Sequence, residues 1–179
     1  MAILPELETE RLSLRRFRLE DAPSIVELLN QPSFIENIGD RGVRNLDDAH
    51  RYLREGPMAM YGRYGFGLWR ASRRSDDAFV GMCGLLKRDI LPDVDVGYAF
   101  LPEHWGQGYA FEAVNATIEL GARKFGLERI IGVVSDHNAA SIRVLEKAGL
   151  RFERMVAMRA GEPEVRLYSR ELVAGTTGR

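Results

Sequence analysis

Residues 102–125 read PEHWGQGYAFEAVNATIELGARKF, and the rest of the chain is organised around them. The stretch opens with Gly106 and Gly108. It then carries apolar residues at Ala110, Val114, Ile118 and Phe125, with Glu112, Asn115, Glu119 and Arg123 on another face, a helical period. The first N–H groups of a helix have no internal partner, and its dipole favours negative charge there. Glycine lets a ligand approach the backbone closely. Gln107 to Ala110 is thus a candidate cradle for the pyrophosphate of a nucleotide-like cofactor. An ordinary tight strand-to-helix connection would carry the same two glycines. The loop lacks a third glycine at dinucleotide-fold spacing, because Ala110, Phe111 and Glu112 follow, and it lacks the Gly-Lys-Ser/Thr of a triphosphate loop.

Composition narrows the class. A chain of 179 residues is expected to form a single domain over residues 1–179, with its core at about 7–172. That length buries roughly 70% of the extended-chain surface. With 25 basic and 26 acidic residues there is no electrostatic case for nucleic-acid binding. One cysteine, Cys83, sits in a strand-like run and reads as a small buried residue, so no internal disulfide forms. The opening MAILPELETERL is too short and acidic for a signal peptide, and no apolar run is long enough to span a bilayer. A cytoplasmic protein with no membrane partner is the expectation, and nothing suggests a metal.

Outward from the central stretch, alternation gives strands at Thr9 to Phe17, Phe66 to Ser72, Phe79 to Lys87, Asp95 to Phe100 and Arg129 to Val134. A terminal hairpin follows at Arg151 to Arg159 and Glu164 to Glu171. Gly81, Gly84 and Gly97 inside strands suggest bulges or close packing. LEDAPSIVELL reads as a helix with Asp21 as N-cap, and Asn45 and Asn138 cap two more. Gly56-Pro57 breaks or kinks the second helix. NQPSFIENIGDRG reads as a loop anchored by Phe34 and Ile35, and the tail AGTTGR as disordered. The order of elements specifies an α+β domain with a mixed, largely antiparallel sheet.

Four blocks in sequence, ETERLSLRRF with LEDA, GMCGL, VGYAFLPEHWGQGYAFEA and NAASIRVLEKAGLRF, resemble the GNAT N-acetyltransferases. The likeness is to the branch containing the ribosomal-protein N-terminal alanine and serine acetyltransferases. It runs from about Leu7 to Leu172. It implies the acyl-CoA N-acyltransferase fold, a splayed sheet flanked by helices, and acetyl-CoA as cofactor with CoA as product. The implied pantetheine contacts are main-chain groups near Tyr98, Ala99 and Phe100. The implied phosphate contacts are Trp105, Gly106, Gln107, Gly108, Tyr109 and Ala110. Asn138 would both cap its helix and meet the cofactor arm, and Ser141, one turn on, would lie near the sulfur. Arg143 and Lys147 are candidates for the 3′-phosphate or simply a solvated face. Many relatives place a tyrosine acid where this chain has Leu145, so Ser141 or water must serve the leaving thiolate, or it leaves unassisted.

The implied reaction is direct attack of a primary amine on the thioester. An α-amine, of pKa about 8, loses its proton near neutrality for under roughly 1 kcal/mol, whereas a lysine costs roughly 4 kcal/mol. A protein N-terminal α-amine is therefore the favoured acceptor. A small-molecule amine, or a non-catalytic acyl-CoA sensor, is the alternative. Asp95, Glu103 and His104, in that order, are candidate bases, while His137 reads as a loop residue. Whether the chain is a monomer or a homodimer stays open.

Overall fold

The computed structural model describes residues 4–173. The tail AGTTGR and the first three residues lie outside that range. Eight strands form one sheet in the order β1-β2-β3-β4-β5-β6-β8-β7. They are β1 (Leu7–Glu8), β2 (Leu12–Arg16), β3 (Leu68–Arg73), β4 (Phe79–Leu86), β5 (Asp95–Phe100), β6 (Arg129–Val134), β7 (Arg151–Val156) and β8 (Val165–Glu171). Every pairing is antiparallel except β5 with β6. This is the α+β mixed sheet that the order of elements specified.

The helices are α1 (Ala22–Leu29), α2 (Pro32–Asn37), α3 (Leu46–Leu53), α4 (Ala59–Tyr64), α5 (Tyr109–Phe125) and α6 (Ala139–Lys147). Strand alternation sorts the core. Cys83 and Leu85 of β4 and Val96 and Phe100 of β5 face α5, where Ala113, Val114 and Ile118 are buried against them. Met82 of β4 and Leu68 of β3 turn the other way and meet Ile25, Leu28, Ala49 and Leu53 of α1 and α3. Each buried Leu or Ile side chain contributes about 1.5–3 kcal/mol of burial energy. Cys83 is wholly buried beside Thr117, and burial pushes its thiol up to about 12, so it is an inert core residue.

Two local expectations change and one is refined. NQPSFIENIGDRG is not a plain loop, because Pro32 opens the short helix α2 and Phe34 is buried beneath it. Pro at the first helical position costs no hydrogen bond, since that N–H is unpartnered anyway. Gly56-Pro57 interrupts the α-helix as expected, but through a π-helical turn, Arg54–Met58, that carries α3 into α4. Asp21 precedes α1 without capping it; its carboxylate takes Arg15 at 2.8 Å and the Arg18 N–H at 2.8 Å instead. Asn45 and Asn138 do cap, accepting from Asp48 and Ser141 N–H.

The strand glycines have separate reasons. The register slips between Ala71 and Ser72, opposite Gly81, so β4 carries a bulge there. Gly84 lies so close to β3 that a Cβ would stand 2.0 Å from the Gly67 carbonyl oxygen. Gly84→Ala must separate two strands at the centre of the sheet. We expect it to lower the unfolding free energy by at least about 2 kcal/mol in denaturant titration.

Candidate functional site

The parallel pair β5–β6 is joined at a single register position, Asp95 with Ile131, where the Ile131 N–H reaches the Val94 carbonyl at 3.1 Å. Beyond it the strands part. Main-chain direction alternates along a strand. At the far end the Leu101 N–H is given to Val80 of β4 at 2.9 Å, so Ala99 also faces β4 and the main chain of Tyr98 and Phe100 faces the gap. Of the three residues expected to offer backbone groups, Ala99 contributes only its side chain to the cleft wall. The indole N–H of Trp105 donates to the Phe100 carbonyl at 2.9 Å and closes off that acceptor.

Two chambers meet in this gap. One, about 560 Å³, is lined by Tyr98, Ala99, Phe100, Trp105, Gly106, Gly108, Tyr109, Ala110, Phe111, Asn138 and Ser141. The other, about 1350 Å³, opens on the opposite side and includes Asp95 and Arg88. Phe34, Asn37, Ile38, Tyr98, Asn138 and Ser141 line both, so the passage between them runs past these residues. α2 thus forms the wall facing Ser141, and the Ser135 hydroxyl fastens it by donating to the Asn37 carbonyl at 2.9 Å.

At the mouth of the first chamber Gly106 and Gly108 have φ of 76° and 81°, where only glycine is unstrained. Gly108 is the N-cap of α5 and has no side chain to occupy the first amides, as Ser or Asp would. None of the N–H groups of Gly106, Gln107, Gly108, Tyr109 and Ala110 donates to a described protein group. Their direction is set from behind. Arg11 Nη1 donates to the Gln107 carbonyl at 2.7 Å, while Arg11 Nε and Nη2 hold Glu112 Oε2 at 2.7 and 2.6 Å. The Thr9 hydroxyl and the Arg11 N–H both donate to Glu112 Oε1, at 2.6 and 2.9 Å. A planar trans peptide that turns its Gln107 carbonyl towards Arg11 must aim the Gly108 N–H the opposite way. Burial pushes the Glu112 carboxyl up, but the bonds from Thr9 and Arg11 outweigh it and hold it below its ordinary value. Glu112, read from its spacing only as part of a polar helix face, is therefore a buttress.

At the junction, Asn138 Oδ1 accepts the Ser141 N–H at 3.1 Å, and the Ser141 hydroxyl lies 2.5 Å from the Tyr98 hydroxyl. Tyr98 also reaches the Ser141 carbonyl at 3.1 Å, and burial raises its phenol. The Tyr98 side chain is a site element that sequence reading missed, having used only its backbone. Leu145 lines neither chamber. It is 1% exposed and pressed on β6, where a Cβ on Gly132 would meet it at 2.8 Å.

The base candidates separate. Glu103 and His104 form a turn on the side of the first chamber, 3.4 Å from each other, and His137 is exposed and lines neither chamber. Asp95 is 1% exposed, lines the second chamber, and has Arg88 at 3.4 Å with no hydrogen bond to either oxygen. Burial pushes its carboxyl up to about 6, against the pull of Arg88. Arg143 and Lys147 line the first chamber, with the Lys147 ammonium over the Phe111 ring at 4.2 Å. Among the described residues no cluster of three His, Cys, Asp or Glu is placed to hold a metal, and no helix is long and apolar enough to cross a membrane.

A family model described as an acetyltransferase (GNAT) domain matches residues 11–151. The chain is 28% identical over 169 residues to the Bacillus subtilis protein YkkB, covering 93% of this chain and 95% of that one. Its fold is similar to the crystal structure of an acetyltransferase from Agrobacterium tumefaciens, with TM-score 0.80, 24% identity and coverage of 96% and 97%. It is also similar to RimL, a ribosomal L7/L12 α-N-protein acetyltransferase in complex with coenzyme A, with TM-score 0.81, 17% identity and coverage of 97% and 100%.

Because the folded Asp95 carboxyl is raised, the native state binds the extra proton between about pH 4 and 6, and stability falls as pH rises through that window. Asp95→Asn removes this loss. Its unfolding free energy relative to wild type should be about 2–3 kcal/mol more favourable at pH 7.5 than at pH 4, by denaturant titration at both values.

Proposed function

The chain belongs to the GNAT acetyltransferase family, and from that premise we propose that it moves the acetyl group of acetyl-CoA to a primary amine, a protein N-terminal α-amine. The observation that carries this is a cleft running through the splayed sheet, from unbonded amides at Gly106 to Ala110 to a chamber of about 1350 Å³. That second chamber is wide enough for a peptide end, where a small closed pocket would favour a metabolite.

The residues present fit the cofactor. The amides of Gly106 to Ala110 would hold its pyrophosphate, each charged hydrogen bond contributing about 1.5–3 kcal/mol. The free main chain at Tyr98 and the N–H of Phe100 would take the amides of its arm as an added strand, beside Asn138. Trp105 and Phe111 would wall the first chamber, with Arg143 and Lys147 available to a further phosphate. Bound there, acetyl-CoA supplies an activated thioester carbonyl.

The chain's own groups move protons and exclude water. Asp95, with unbonded oxygens and a pKa raised towards neutrality, is the proposed proton acceptor for the amine. Its oxygens lie beneath Arg88, so the amine's proton reaches it through one water or after Arg88 moves aside. Ser141 is the proposed hydrogen-bond donor to the leaving sulfur. When Tyr98 donates to Ser141 Oγ, the serine's own hydrogen is free to turn into the passage. Leu145 plays no part, being packed in the core.

The test is CoA release from acetyl-CoA with a panel of N-terminal peptides and small amines. Transfer to peptide α-amines is expected; acetylation of small amines alone, or of nothing, contradicts the reading. Between about pH 5 and 7 wild-type kcat/KM should rise more steeply with pH than that of Asp95→Asn, in which only the ionisation of the amine remains. Arg11→Met unties the Gln107 carbonyl. It should raise KM for acetyl-CoA about tenfold or more, yet leave KM for S-acetylpantetheine, which has no pyrophosphate, unchanged. A loss shared by both thioesters would mean general damage instead.

A further inference from the structure

Three connections each deliver an arginine to the second chamber: Arg41 from between α2 and α3, Arg88 from between β4 and β5, and Arg159 from between β7 and β8. Several arginines elsewhere in the chain are tightly engaged. Arg11, Arg15, Arg16 and Arg73 each hold a carboxylate within 2.8 Å. The chamber arginines are different. Arg88 stands 3.4 Å from Asp95 and Arg159 stands 3.5 Å from Glu162, neither close enough in geometry to form a hydrogen bond. Arg41 has no ion-pair partner among the described residues.

The three guanidiniums also act on one another. Partial burial lowers the pKa of Arg41, whose residue is otherwise exposed; Tyr52 and Glu162 oppose that, and Arg88 and Arg159 add to it as like charges. A guanidinium presents five N–H donors in a planar fork that matches a carboxylate. A cavity that gathers three such forks without engaging them is complementary to an anion. The chamber also carries six acids, and four of them already face an arginine, Asp95 with Arg88 and Glu162 with Arg159 only loosely, at 3.4 and 3.5 Å. Asp40 and Asp48 are held by Arg44 and Arg51, each at 2.5 Å. Glu55 and Asp89 line the same chamber without an ion-pair partner among the described residues, and suit the ammonium end of an incoming amine.

Resting on the acceptor site proposed above, we infer that the acceptor is acidic: a primary amine whose own carboxylate, or those of the residues beside it, is taken by Arg41, Arg88 and Arg159. The same event serves the chemistry. A carboxylate that draws Arg88 away removes the stronger of the two cations, Arg88 and Lys87, that lower the Asp95 pKa, and uncovers the proposed base.

The experiment is calorimetric titration of the CoA-loaded protein with Ala-Asp-Glu-Asp amide, with Ala-Asn-Gln-Asn amide and with free glutamate. The acidic peptide should bind about tenfold or more tightly than the neutral one at low ionic strength, and the gap should shrink with added salt. In the double variant Arg41→Gln, Arg159→Gln, which keeps Arg88, the gap between the two peptides should shrink several-fold, with CoA affinity unchanged as the control for folding. Equal binding by wild type, or a preference that survives the double variant undiminished, overturns the inference. Binding of glutamate but not of the acidic peptide keeps the anion site and assigns it to an acidic metabolite. Tight binding of the acidic peptide with no acetylation of any peptide contradicts the functional reading while supporting this one. Acetylation of both peptides with equal kcat/KM contradicts this one alone.

Discussion

The structure turns on a hydrogen-bond contact that stops early. β5 and β6 meet at Asp95 and Ile131 and then diverge, although both continue as strands. An open strand edge is costly when buried and invites pairing. The chain tolerates it because each strand is secured on its other side, β5 to β4 and β6 to β8, over six register positions apiece. The unpaired edge at Tyr98 and Phe100 is then rigid and faces a solvated cleft. A rigid edge can receive an extended ligand without being ordered first, which removes an entropic cost from binding.

A second constraint acts from outside the cleft. Thr9 and Arg11 lie 103 and 101 residues from Glu112 in sequence, yet the three form one hydrogen-bonded knot behind the loop at Gly106. Arg11 also lies over the Tyr109 ring, its guanidinium carbon 4.6 Å from the centroid. The knot and the two left-handed glycines fix opposite ends of the same peptide groups. Together they hold several amides outward against mutual repulsion, a preorganised arrangement that an anion would relieve.

Much of this was legible in the chain. Asp95–Phe100 and Arg129–Val134 are strands at the boundaries alternation gave, and Asn45 and Asn138 cap the helices they were expected to cap. Local signals sufficed because caps and alternation are set by neighbours in sequence. What stayed hidden depends on distant partners. The helix at Pro32 is too short for a periodic signal. Asp95 sits on a strand like any solvated acid, and only the packing around it seals it from water. Glu112 has the spacing of a surface residue, and only the return of Thr9 and Arg11 makes it structural. The Tyr98–Ser141 contact joins a strand to a helix 43 positions away, and neither residue announces the other.

The central claim is that main-chain amides at the start of α5, aimed by Arg11, grip a diphosphate. Amide-resolved NMR on the whole chain, titrated with CoA and separately with pantetheine, tests it most directly. The amide resonances of Gly106, Gly108 and Tyr109 should move downfield with CoA and stay in place with pantetheine, while Tyr98 and Phe100 respond to both. Resonances at Gly106 to Ala110 that ignore CoA while it binds elsewhere would contradict the account.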